Sequence, residues 1–198
     1  MKPKAYFTPQ RMTRIALLAA ISSILFYWPE IPIIGFYKLD FSNLPVLLGA
    51  FSMGPLAGVI ILAIKSISGL LHSSSQFVGE LADFLFGLAL MYPTVLIYQR
   101  KKSRKTALIG MITGTVCMII SGVLINAYLL IPVYLGGGLT IEQILGMFSA
   151  FPFIDSLEKL LFFATAPFNL IKGGVLSAMT FVLYKHLSPL LHGRGVRS

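Results

Sequence analysis

The most unusual chemistry in the sequence is a lysine inside an apolar run. Lys172 is the only charged residue between Lys159 and Lys185, and the run at 157–184 is long enough to cross a bilayer with tilt. A charge at this depth costs about 2.5–3.5 kcal/mol on insertion scales, so it usually faces a cavity or a partner. Asn169 lies three residues earlier, on the same helix face. We interpret the pair as the polar end of a ligand pocket; the alternative is that the lysine snorkels to an interface.

The overall composition indicates an integral membrane protein. Of the 198 residues, 56% are hydrophobic and only 12% are charged, whereas a soluble domain carries about 25% charged residues. The net charge of +9 does not predict nucleic-acid binding, because the basic residues stand at the ends of apolar runs. The single cysteine, Cys117, excludes a disulfide or a cysteine-based metal site within one chain. We therefore expect one transmembrane domain over residues 1–198, with no metal site and no nucleic-acid partner.

The apolar stretch at 44–71 decides the predicted topology. Counted as one span, it would put the basic cluster at 100–105 on the opposite side from the basic N-terminus. A break at Gly54-Pro55 yields two short spans and brings the basic clusters to one side, as the positive-inside rule requires. The sequence therefore predicts an all-α integral membrane bundle of six transmembrane helices with both termini in the cytoplasm. The predicted spans are about 11–28, 41–53, 55–72, 80–99, 106–132 and 157–185.

Further polar residues fall inside or beside these spans. The helical rise places Asn126 in the same middle-to-outer layer of the membrane as Asn169 and Lys172, so one outward-facing pocket can contain all three. Glu80 and Asp83 begin the fourth span, where they either lie at an aqueous helix N-terminus or line the mouth of the pocket.

Two features are predicted to lie near the membrane surfaces. Lys65 is the other intramembrane charge, and it is either a second pocket group or a residue that snorkels to the interface; because its span is short, we favour snorkelling. The segment 136–156 begins with three glycines and predicts a flexible hinge followed by a short interfacial helix, which would suit a lid.

The sequence contains no recognisable catalytic machinery. A Gly-x-x-x-x-Gly-Lys-Ser/Thr phosphate loop is absent, so the chain does not hydrolyse ATP through that motif. His72, His186 and His192 lack metal-ligand spacing. We expect a protein that is not an enzyme.

Several motifs resemble one family of membrane proteins. They are KLDFSNLP at 38–45, GPLAG at 54–58, GELADF at 79–84, Asn126 with Pro132 and Tyr134, and NLIKGG at 169–174. The first two resemble the substrate-binding S components of energy-coupling-factor (ECF) vitamin transporters. The other three, of which the last is the most specific, narrow the resemblance to the riboflavin-specific S component. At Asp83 the chain departs from the family pattern, which often has asparagine there.

The resemblance implies a six-helix protein of a prokaryotic plasma membrane that captures riboflavin from outside with high affinity. Riboflavin would be the transported substrate rather than a cofactor. The partners would be a transmembrane coupling (T) subunit and two ATPase subunits. Asn126, Asn169 and Lys172 are implied to contact the flavin ring. Ala16 and Ala20 are implied to form the docking strip for the coupling subunit; from their spacing alone, packing within the chain explains them equally well.

The chemistry of the ligand fits these residue types. The pyrimidine edge of an isoalloxazine offers carbonyl acceptors and one imide N–H, which amides and an ammonium complement. The tricyclic body needs apolar or aromatic walls, for which Tyr37, Tyr128 and Phe36 are candidates. The ribityl hydroxyls need polar partners, for which Asp40 and Glu80 are candidates. The alternatives are an S component for another vitamin, or a membrane assembly protein without a small ligand.

Overall fold

In a computed structural model that describes residues 7–27, 31–71 and 77–191, helices form most of the chain. The helices are α1 (Pro9–Tyr27), α2 (Asn43–Met53), α3 (Pro55–Leu70), α4 (Val78–Arg100), α5 (Arg104–Ile125), α6 (Ile131–Gly136), α7 (Ile141–Gly146), α8 (Leu157–Leu160) and α9 (Ala166–Leu191). Two π-helical segments connect some of these helices into longer continuous ones. π1 (Asn126–Leu130) joins α5 to α6, and π2 (Leu161–Thr165) joins α8 to α9.

The predicted break at Gly54-Pro55 is confirmed. α2 ends at Met53 and α3 begins at Pro55, and Gly54 between them has φ = +100°. Glycine adopts this backbone conformation without the steric penalty of a side chain, and proline at the start of a helix has no N–H to leave unpaired. The stretch therefore forms a helical hairpin instead of one long helix.

Three of the described helices are long and apolar enough to cross a membrane. They are Val78–Arg100, Arg104–Gly136 and Leu157–Leu183, and they correspond to the predicted spans 80–99, 106–132 and 157–185. α2 and α3 are shorter apolar helices, and α1 covers most of the predicted span 11–28. The predicted span ends at Trp28 and His72 lie outside the described residues. Six crossings and cytoplasmic termini stay predictions.

The segment between α1 and α2, which lies between two predicted spans, contains two short strands that the sequence did not predict. β1 (Ile31–Ile34) and β2 (Tyr37–Leu39) form an antiparallel hairpin in which Pro32 pairs with Lys38. Successive side chains of a strand point to opposite faces, so Tyr37 is buried and Lys38 is exposed. These strands were hard to predict because both are short and the first contains a proline, which is depleted in strands.

One apolar core holds the long helices together. It draws on α1 to α5 and α9, and its fully buried side chains include Val46, Phe51, Ile61, Leu62 and Met91. α4 packs along α5, and α5 packs along α9. This bundle fixes the positions of α3, α4 and α9, which carry the buried polar residues.

A second apolar cluster includes Tyr37 of the hairpin and the residues that pack around it. Its buried members are Tyr37, Ile131, Ile144, Phe148, Ile154, Leu160, Ala164 and Phe168. Phe148, just after α7, holds the hairpin through ring contacts at centroid distances of 5.4 Å to Phe36 and 5.7 Å to Tyr37. The short helix predicted within 136–156 is confirmed as α7, whose N-terminus is capped by Thr140. Its role as a lid stays a prediction.

Candidate functional site

A cleft of about 310 Å³ opens between the hairpin, α1, α4, α6 and α9. Its charged lining residues are Lys38, Asp40, Glu80, Asp83 and Lys172, and its aromatic ones are Phe26, Phe36, Tyr37, Phe86, Tyr134 and Phe168. Such a mixture is typical of small-molecule sites, whose volumes are roughly 300–1,000 Å³. A larger groove of about 530 Å³ between α5 and α9 is lined almost wholly by apolar side chains. Because it lacks convergent polar groups, we assign the candidate site to the cleft.

Lys172 points into the protein and ends at the cleft. It is 4% exposed, and its Nζ lies 2.7 Å from Asp40 Oδ2 and 3.3 Å from Asp83 Oδ1. The snorkelling alternative is therefore wrong for this residue. An ammonium has three N–H donors, and two of them are matched by carboxylates. The third has no acceptor among the described residues, while the side chain lines the cleft.

Asp40 follows β2 and is held from two directions. Its Oδ2 accepts from Lys172, and its Oδ1 accepts from the backbone N–H of Ser42 at 2.9 Å and from the Ser42 hydroxyl. Burial alone would raise the pKa of Asp40, but the charges of Lys172 and Lys65 and the hydrogen bonds outweigh it and lower the pKa to about 2. Asp40 is thus an anion whose main task is to balance the neighbouring ammonium.

Lys65 does not snorkel, and that prediction is wrong. The side chain is fully buried, and its Nζ donates to Ser42 Oγ at 3.0 Å, to Asn43 Oδ1 at 3.0 Å and to Asp83. These partners come from the start of α2 and from α4, so spacing within α3 gave no signal for them. Asp83, whose place the sequence left open, bridges Lys65 and Lys172.

The two predicted asparagines lie where the π-helical segments meet. Asn126 opens π1 and Asn169 lies one turn after π2, and both are buried. Asn169 Nδ2 donates to the carbonyl of Thr165 at 2.9 Å, whereas its Oδ1 is buried and has no hydrogen-bond partner in the part of the chain that the structure describes. A Cβ added at Gly122 would lie 2.5 Å from Asn169 Nδ2, so α5 needs glycine there to admit this side chain. π-Helical turns occur frequently at functional sites.

Tyr37 connects the cleft to Asn126. Its hydroxyl donates to Asn126 Oδ1 at 3.0 Å and contacts the Thr165 hydroxyl. Its ring stacks on Phe168, with a centroid distance of 4.8 Å and an interplanar angle of 17°. Burial raises the pKa of Tyr37 above its ordinary value, so the phenol is neutral. The sequence prediction missed Phe168, although it stands directly before Asn169 in the most specific motif.

Tyr128, which was predicted to form a wall of the pocket, lies elsewhere in the structure. Tyr128 is 80% exposed and does not line the cleft. It lies two residues after the buried Asn126, and residues two apart do not share a helix face.

Ala16 and Ala20 are exposed on α1, while Ala19 is buried. The strip is therefore not used for packing within the described chain, and its docking role stays a prediction.

Comparisons with known proteins identify one family over most of the chain. Residues 10–184 match the family model described as ECF transporter, substrate-specific component. The chain belongs to this family. It is 34% identical over 185 residues to the riboflavin transporter RibU of Staphylococcus aureus (strain TCH60), covering 92% of each chain. It is also 26% identical to the riboflavin transporter FmnP of Bacillus subtilis (strain 168), covering 91% of this S component and 93% of that protein.

A solved structure of the S component of a bacterial ECF transporter has a similar fold. The TM-score is 0.71 at 31% sequence identity, and the similarity covers 93% of this chain and 98% of that one. Almost the whole of both chains therefore takes part in the similarity. This protein is therefore the substrate-specific component of an ECF transporter and a bacterial membrane protein.

Proposed function

We propose that this S component captures riboflavin in the cleft from outside the cell and delivers it through an ATP-driven ECF transporter. The observation that carries the proposal is unused hydrogen-bonding capacity on one face of the last long helix. Asn169 Oδ1 is a buried acceptor without a partner, and Lys172 has one N–H without an acceptor among the described residues. An imide N–H flanked by carbonyl oxygens, as in the pyrimidine edge of riboflavin, supplies the matching donor and acceptors.

Aromatic residues supply the walls for the tricyclic ring in this proposal. Phe36, Tyr37, Tyr134 and Phe168 line the same cleft, and offset or edge contacts between such rings and a flavin are favourable. Tyr37 occupies the acceptor of Asn126, so the flavin takes over this asparagine only as the tyrosine hydroxyl moves away. The volume of the cleft lies at the small end of the usual range for ligand sites, which agrees with a cleft that widens as the tyrosine moves.

The ribityl chain is assigned to the polar edge of the cleft. Glu80 and Asp40, the two predicted partners, both line this edge. Asp40 also accepts hydrogen bonds from Lys172 and Ser42. Each carboxylate oxygen has two lone pairs, so both carboxylates are assigned to the recognition of the ribityl hydroxyls.

Transport requires a partner in this proposal. Six spans with cytoplasmic termini and a plasma-membrane location would put the cleft at the outer surface. The exposed Ala16 and Ala20 on α1 would then receive a transmembrane coupling subunit that is powered by two ATPase subunits. Two small residues four apart let another helix approach closely in lipid.

The test is a riboflavin titration of the purified protein, followed by quenching of flavin fluorescence. We expect the parent and a Lys159→Met control, which alters an exposed ion pair with Asp155, to bind riboflavin alike and to purify with a yellow colour. An Asn169→Leu variant should bind about 5- to 150-fold more weakly, the equivalent of 1–3 kcal/mol. A parent protein that binds a different vitamin, or no vitamin, would contradict the proposal.

A further inference from the structure

Asp83 stands between two buried amines that differ in their access to the cleft. Its Oδ1 lies 3.3 Å from Lys172 Nζ, and its Oδ2 accepts a hydrogen bond from Lys65 Nζ. Lys172 lines the cleft, whereas Lys65 does not. The proposed ligand therefore touches one lysine, and the other lies behind the carboxylate that both lysines share.

These residues form a cluster in which the charges balance. With Asp40, the cluster holds two ammonium and two carboxylate groups, all of them buried. A buried charge that loses its partner is strongly unfavourable, so the cluster responds as a unit when one member is removed. Lys65 is fixed from the other side by Ser42 and Asn43, so its position does not depend on the cleft.

We infer that Lys65 is a positioning residue for ligand recognition, acting through Asp83 on Lys172. By holding one oxygen of Asp83, it limits the pull of that carboxylate on the Lys172 ammonium and leaves the third N–H of Lys172 free to serve the cleft. The ligand is a heteroaromatic compound with carbonyl acceptors along one edge. Because this ligand is the one assigned to the cleft above, the inference rests on the proposed function.

Removing members of the cluster has different consequences for Lys172. In Lys65→Met, the whole charge of Asp83 acts on Lys172, at an effective dielectric far below that of water. The ammonium is then drawn to both carboxylates, and its hydrogen bond to the ligand weakens. In Lys65→Met with Asp83→Asn, the charge balance returns, because Lys172 and Asp40 remain as a pair. The second change therefore rescues the first.

The experiment is a double-mutant cycle with two readouts. Riboflavin affinity and the thermal unfolding of the ligand-free protein are measured in detergent for the parent, Lys65→Met, Asp83→Asn and the double variant, with Lys159→Met as the matched surface control. We expect Lys65→Met to weaken binding by about tenfold or more, the equivalent of one such hydrogen bond. The double variant should return to within about threefold of the parent, and the control should not change.

The inference is overturned if Lys65→Met binds as the parent does, or if the double variant binds no better than Lys65→Met. If Lys65 had only a structural role, Lys65→Met and the double variant would both melt at a lower temperature, and riboflavin affinity would not recover in the double variant. A parent protein that does not bind riboflavin would refute the proposed function instead. In that case the unfolding cycle decides: non-additive melting temperatures support the charge coupling, and additive ones refute it.

Discussion

The two buried lysines occupy regions with opposite hydrogen-bonding character. Around Lys65, three acceptors match the three N–H groups of the ammonium, and the side chain is fully buried. Around Lys172, two carboxylates leave one N–H over, and the side chain lines a cleft whose other walls are largely aromatic. Both lysines cost free energy to bury and both are compensated by carboxylates, but only one can bind something further.

The difference shows that burial of a charge does not by itself mark a binding residue in a membrane protein. The informative quantity is the hydrogen-bonding capacity that remains after the protein's own groups are paired. Asn169 meets this criterion on the acceptor side, because its buried Oδ1 has no partner within residues 7–27, 31–71 and 77–191. Asn169 lies one helical turn before Lys172, although only Lys172 of the two is among the residues that line the cleft.

The largest effect is expected on the side of α1 that faces away from both lysines. Ala16→Leu with Ala20→Leu should abolish riboflavin uptake and co-purification with the coupling subunits, because the larger side chains block close helix packing. Riboflavin affinity in detergent should stay near that of the parent, although α1 also reaches the Lys65 region through the Ser22 hydroxyl, which donates to the Ser42 carbonyl at 2.5 Å. Uptake in cells with the complete transporter is measured beside affinity. Loss of both would show that the exposed face of α1 is coupled to the charge cluster.

A large effect on binding is expected from neutralising the pair that faces the cleft. Lys172→Met alone should destabilise the protein, because it leaves Asp40 without its closest ammonium. Adding Asp40→Asn should restore the melting temperature. Riboflavin affinity should remain about 5- to 150-fold below that of the parent, because ligand carbonyls lose a donor. Neutralising Lys65 and Asp83 together is expected to restore binding. If the two double variants bind riboflavin with equal affinity, the two lysines do not differ in their role in binding.

A smaller effect is expected at Tyr37, at the edge of the cleft. Tyr37→Phe keeps the stacking on Phe168 and removes the hydroxyl that occupies Asn126 Oδ1. Because the ligand then need not displace this bond, we expect affinity to rise by about 2- to 12-fold, the equivalent of 0.5–1.5 kcal/mol. A titration checks the sign. Weaker binding would mean that the tyrosine hydroxyl bonds the ligand itself.

Sequence reasoning succeeded where a feature depends on neighbours along the chain. Gly54-Pro55 breaks a helix through local backbone geometry, and the shared face of Asn169 and Lys172 follows from helical spacing. It failed where partners arrive from other elements. Lys65 was assigned to an interface because Ser42, Asn43 and Asp83 are distant in sequence. The β-hairpin was missed for a different reason, because its two short strands lack a clear alternating pattern.

The wrong assignment of Tyr128 has a simple physical cause. An aromatic residue near Asn126 was chosen for its chemistry without regard to helix phase, and two residues along a helix reach a different face. Phe168, which stacks on Tyr37, precedes Lys172 by four residues and therefore shares its helix face. Helix phase, applied to both aromatic residues, would have removed Tyr128 from the list and favoured Phe168.

The most direct test of the account compares riboflavin with riboflavin methylated at the imide nitrogen, N3. The methyl group removes the donor that we assign to Asn169 Oδ1. The affinities of both ligands are measured for the parent and for Asn169→Leu. The account predicts that the parent prefers riboflavin by about tenfold or more, and that the preference falls close to one in the variant. An equal preference in both proteins would contradict it, because the imide N–H would then be recognised elsewhere or not at all.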